Sequence, residues 1–132
     1  MTARIICRYL TAILLVVRPP AVWSQASEAP ATMTIGRLHY DGGGDWYANP
    51  SSLPNLLQAV QTRTHLRVAN REKVVRLLDD ELWTVPYLHM TGHGNLHFAD
   101  AELPILRRWL LQGGFLHASD NYGMDESFRR EM

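Results

Sequence analysis

Short apolar runs that alternate with stretches of helical periodicity constrain this 132-residue chain more than any other feature. Residues 34–40 (TIGRLHY) alternate apolar and polar side chains, the period-two pattern of a strand. Ser51 and Ser52 are N-cap types and Pro54 suits a first helical turn. Leu53, Leu56, Leu57 and Val60 then fall at i, i+3, i+4 and i+7, so an amphipathic helix is predicted. A second strand is predicted at residues 65–68, followed by a helix capped by Asn70 with Val74, Leu77 and Leu78 on one face. Residues 86–91 (PYLHMT) read as a third strand; Asp100 caps a helix carrying Leu103, Leu106 and Leu110, which Gly113 ends in the C′ role. Residues 114–119 (GFLHAS) make a fourth strand, and Asp125 opens a last helix. Such alternation implies βαβ units, hence an α/β domain with a parallel sheet, right-handed crossovers and helices on both faces. Residues 127–132 supply only opening helical turns and no fifth strand follows, so the expectation is a domain truncated at its C-terminus.

In an open α/β sheet the ligand crevice lies beyond the carboxyl ends of the strands. Three predicted strands end in polar loops containing glycine: Asp41-Gly42-Gly43-Gly44-Asp45, Gly92-His93-Gly94-Asn95 and Asp120-Asn121-Tyr122-Gly123. The predicted topology gathers them on one rim. Glycine runs cost conformational entropy and are kept where backbone turns sharply or lies close to something else. Phosphate is one candidate occupant, since glycines let N–H groups surround an anion. However, Asp41 and Asp45 would repel it, and neither GxxxxGK[ST] nor GxGxxG is present. Two carboxylates suit a neutral polyol, a cationic group or a divalent metal ion better. Trp46 and Tyr47 either stack on a sugar face or pack the loop onto the sheet.

His93, between two glycines after an apolar strand, suits a general base or a metal ligand, or else hydrogen-bonds the loop backbone. His97 follows at i+4, but Gly94 and Asn95 make a helix unsuited there, so HxxxH is a weak zinc signal. His89 and His117 lie inside strands and read as structural; His39 and His65 carry nothing specific. Asp120 could orient His93, bind a metal or hold a substrate hydroxyl, or it could cap the turn that follows. Asn121 and Tyr122 stand beside it as candidate ligand contacts. Ser119 lacks a GxSxG setting, which argues against a serine triad.

The first 26 residues differ in character. Arg4 and Arg8 precede the apolar run 9–17, and Ser24-Gln25-Ala26 follows, the pattern of a secretory signal peptide; residues 27–33 then read as a linker and 34–132 as the domain. The apolar run is too short for the ~20 residues of a spanning helix. A retained N-terminal membrane anchor is the alternative to a periplasmic or secreted location. Removing Arg4, Arg8 and Arg18 leaves 10 basic against 13 acidic residues, about −3, which argues against nucleic acid as partner. The single cysteine, Cys7, would leave too, so a mature chain would have no thiolate nucleophile and no disulfide.

The motifs YDGGGDWYANPSSLPNLL, PYLHMTGHGN, GGFLHASDNYGMD and FRREM resemble the N-terminal part of the bacterial family catalogued as domain of unknown function 4159, from about Arg37 to Met132. The resemblance implies an exported or membrane-attached protein of flavodoxin-like fold, similar to class I glutamine amidotransferases. Its signature residues fall on Asp41, Gly42, Gly43, Gly44, Asp45, Trp46, Tyr47, His93, Asp120, Asn121 and Tyr122. Family members usually carry an acidic pair where this chain has Ser119-Asp120, and they continue past FRREM. Amidotransferase-like enzymes use a cysteine nucleophile, so the inventory excludes glutaminase chemistry here. The expectation is therefore a non-catalytic domain that binds a small polar ligand or a cell-envelope protein through the rim. The alternative is a hydrolase acting on a carbohydrate or similar polar substrate, with His93 as base or metal ligand and Asp120 as its partner.

Overall fold

The strands whose residues are most fully buried stand at the centre of the sheet, where neighbours on both edges and helices on both faces exclude water. A computed structural model describes residues 32–132, so the predicted export signal and most of the linker lie outside the described residues. The order is β1 (Ile35–Leu38), α1 (Ser52–Arg63), β2 (Lys73–Val75), a 3-10 turn (Asp80–Thr84), β3 (Tyr87–His93), α2 (Glu102–Leu111), β4 (Phe115–Tyr122) and α3 (Asp125–Glu131). All four strands are parallel in the order β2-β1-β3-β4, an α/β flavodoxin-like arrangement. Every residue of β1 is buried, whereas β4, at the edge, alternates exposed and half-buried positions.

One face of the sheet carries the larger core. Leu38, Val75, Leu88 and Met90 pack there with Leu82, Leu96, Phe98, Leu106, Trp109 and Met124, so α2 and α3 lie on that side. Ile35 on the other face meets Leu53 and Leu57 of α1 together with Val68. A buried leucine of this kind is worth about 1.5–3 kcal/mol relative to an exposed one. Arg37, also facing α1, is a buried cation that stays satisfied: Nη1 donates to the Ala48 carbonyl at 2.8 Å and Nη2 meets Glu72 at 3.2 Å.

Four details of the sequence reading are corrected. Residues 65–68 do not form a ladder strand; Val68 makes only an isolated parallel bridge to Met33. The real second strand lies in the segment predicted as a helix from Asn70. Val74 and Leu78 are 54% and 60% exposed while Val75 and Leu77 are 1% exposed, a period of two that the i, i+3, i+4 spacing of 74, 77 and 78 had masked. In α2 the buried positions are Glu102, Leu106 and Trp109, one step round from the predicted stripe, because Trp109 reaches under the sheet and donates from Nε1 to the Val85 carbonyl at 3.1 Å. Asp100 does not cap this helix; the Glu102 carboxylate accepts the Ala99 N–H at 2.8 Å instead. Gly113, with φ +96°, does take the C′ position.

Strands β3 and β4 both run further than predicted, through His93 and through Tyr122. The residues read as loop are therefore strand ends, held in register: Gly92 lies opposite Asp120 and His93 opposite Tyr122, with an irregularity between Gly92 and His93.

Candidate functional site

The loop after β1 folds back over the end of β3, and its glycines permit the approach. Gly42 has φ +109°, and a Cβ there would stand 2.6 Å from the His97 nitrogen; a Cβ on Gly44 would stand 2.6 Å from the Asn95 carbonyl oxygen. The two segments are stitched by backbone bonds: Gly44 N–H to Asn95 O at 2.8 Å, Asp45 N–H to His93 O at 3.3 Å and His97 N–H to Asp41 O at 2.7 Å. Two of the donors that an anion cradle would need are thus already taken inside the protein. Gly43, at the tip, faces open space.

This folding delivers Asp45 to His93. The His93 backbone N–H donates to Asp45 Oδ1, and the ring Nδ1 lies 3.0 Å from Oδ2. An ionised carboxylate only accepts, so Nδ1 carries the proton and Nε2 is the free ring nitrogen. The backbone N–H of His93, and after it the ring, hold Asp45 below its ordinary carboxylate range. The His93 side chain is 57% exposed.

Next to this pair, Trp46 stacks on His39 with centroids 4.0 Å apart and planes at 22°, and Tyr47 meets the Trp46 ring edge-on at 5.5 Å. His39 Nε2 accepts from Arg76 Nη2 at 2.7 Å. Burial, then the Arg76 charge, push the His39 pKa down, so it is a neutral acceptor. Arg76 also reaches Asp41 at 3.4 Å, an exposed ion pair of little energetic weight. Arg76, first residue after β2, was not singled out from the sequence. The placement of β2 is what reveals it, and a period-two reading of residues 74–78 would have found it.

Asp120 does not take the role of partner to His93 that the sequence suggested. Its two oxygens accept the N–H groups of Met124 and Asp125 at 3.1 and 3.2 Å, so it caps the entry to α3. Asn121 Oδ1 accepts from Asn49 Nδ2 at 3.0 Å, joining β4 to the segment ahead of α1, while its Nδ2 is buried with no protein partner. Tyr122 stands beside His93 and is 82% exposed; Tyr47 is 63% exposed. His97 pairs with Glu131 at 3.3 Å rather than with His93.

Among the described residues no group of three or more His, Cys, Asp or Glu side chains converges to hold a metal ion. The carboxylates considered for one, Asp41 and Asp45, face Arg76 and His93 instead. Two of the larger hollows are lined by none of residues 41–47, 93 or 120–122, one of about 580 Å³ beside Pro50, Pro54 and Glu72 and one of about 520 Å³ between α2 and Met132. The site is thus an exposed edge carrying a free imidazole nitrogen and two exposed tyrosine rings. No helix among the described residues is long and apolar enough to cross a membrane.

A search of curated proteins gives no match. Residues 34–132, which include this rim, nonetheless match the family model described as Domain of unknown function (DUF4159), and the chain belongs to that family.

Proposed function

We propose that this chain is an exported protein whose rim binds a neutral, polyhydroxylated ligand of the saccharide type without transforming it. The observation that carries this reading is the pairing of both rim carboxylates within the protein, Asp41 with Arg76 and Asp45 with His93. Such pairing engages carboxylate oxygens that a metal would otherwise use, and the negative charge that Asp45 keeps beside a neutral imidazole disfavours an anion. What remains outward is His93 Nε2 as an acceptor and the rings of Tyr47 and Tyr122, a combination suited to hydroxyl groups and the apolar face of a sugar. Four neighbouring strand ends at ~4.8 Å spacing make an edge of roughly 14 Å, the length of a short oligosaccharide rather than of a protein interface. Export rests on the n-region, apolar run and Ser24-Gln25-Ala26 of the N-terminus.

A hydrolase is the second reading, and one observation favours it: a carboxylate on Nδ1 leaves Nε2 able to take a proton from water. Against it, among the described residues the only side chain hydrogen-bonded to His93 is Asp45, so no nucleophile is paired with the base. Calorimetric titration of the protein and of His93→Ala with neutral oligosaccharides, with product analysis of the same samples, separates the two. Saturable binding weakened about tenfold by His93→Ala, without products, is the expected result. Products that disappear in the variant would establish the hydrolase, and no binding to any saccharide would end the proposal.

A further inference from the structure

We propose that Tyr40 is a positioning residue for the Asp45–His93 pair: its hydroxyl, wedged between Gly44 and Gly92, sets the separation at which the loop after β1 meets the end of β3. The inference rests on that pair being the centre of the binding rim.

Tyr40 is the last residue before the glycine loop and is 2% exposed, with its ring in the larger core. Its hydroxyl donates to the Thr91 carbonyl at 3.0 Å, two residues before His93. A Cβ on Gly44 would stand 2.9 Å from this oxygen, and a Cβ on Gly92 would collide with it outright. The same Cβ on Gly92 would stand 3.1 Å from Asp45 Oδ1, so the hydroxyl, the Gly92 backbone and the carboxylate share one crowded point. Two glycines from segments remote in sequence thus make room for one oxygen. Burial, then the charges of Asp45 and Asp120, push the phenol pKa up to about 12, so the group stays a donor through the neutral range. Asp45 meets His93 through both its carboxylate oxygens, and a hydrogen bond between side chains weakens steeply with small displacements. A spacer at this point therefore governs whether Nδ1 or Nε2 carries the imidazole proton.

The test is ring-nitrogen NMR of the full-length chain above neutral pH, reading the His93 tautomer without any ligand. In the unaltered protein His93 is expected as the Nδ1–H form. Tyr40→Phe keeps the ring but removes the hydroxyl, and it should shift His93 toward the Nε2–H form that a free imidazole prefers, while the His89 and His117 signals stay in place. Gly92→Ala pushes on the hydroxyl from the other side and should produce the same shift. A folded Tyr40→Phe protein with an unchanged His93 tautomer would overturn the proposal. So would a Tyr40→Phe chain that does not fold, since the hydroxyl would then be a general determinant of the fold. Saccharide titration of the same samples keeps the two ideas apart: binding with an unmoved tautomer sinks only the role of Tyr40, and a moved tautomer without binding sinks only the ligand.

Discussion

Strand β3 carries two histidines four residues apart that have opposite environments. His93, at the carboxyl end, is exposed and faces a carboxylate; His89, in the middle, is 8% exposed and faces another histidine, with Nδ1 atoms of His89 and His117 3.0 Å apart. In the second pair one Nδ1 must donate and the other accept, and a proton on both would set two N–H groups against each other. Burial, then His117 and Arg37, push the His89 pKa down to about 4, with Glu72 opposing weakly. The difference teaches that burial and the partner decide what a histidine does. The first keeps an exposed imidazole at the strand end, and the second is a neutral brace between β3 and β4.

The largest effect should come from forcing a permanent charge into the brace. His89→Lys places an ammonium beside Arg37 and His117 with only Glu72 to offset it, and should cost about 3–5 kcal/mol in urea unfolding. A drop below 1 kcal/mol would mean that the brace is open to water.

The acid response should divide into two windows. Since the folded His89 binds its proton less readily than the unfolded chain, its contribution is complete above its ordinary value of 6.5 and declines as pH falls toward about 4. Asp45 acts later: its folded pKa lies below its ordinary value of 3.8, so its contribution is present above that value and is lost as pH falls through the folded one. Urea midpoints from pH 7.5 to 3 should therefore show His89→Gln flattening the upper window and Asp45→Asn flattening the lower. A single common window would show that the two pairs are coupled.

The smallest effect sharpens the contrast at the rim. Asp120→Ala should cost about 0.5–1 kcal/mol as a lost cap of α3 and leave saccharide affinity within twofold. Loss of binding equal to that of His93→Ala would return Asp120 to the site.

Much of this was legible in the chain itself. The positions of β1, β3, β4 and all three helices follow from period and turn signals, and three of the four strand-end loops were found by composition alone. Residues 70–78 were misread because Val74, Leu77 and Leu78 fit a helical spacing while the segment buries Val75 and Leu77 in alternation. Arg76 stayed hidden behind that error. Asp120 looked like the partner of His93 because both follow strands, yet an Asp three to five residues ahead of a helix finds free N–H groups nearer at hand.

The sequence by itself determined the alternation of strands and helices, hence the parallel sheet and the edge on which polar loops gather, because periodicity and turn chemistry are local properties of the chain. Only the tertiary structure decided the pairings on that edge. Asp45 and His93 are 48 residues apart, and what brings them together is the close passage of two loops, made possible by missing Cβ atoms at Gly42, Gly44 and Gly92. Such contacts depend on distances of a few tenths of an ångström between remote segments, which no local pattern encodes.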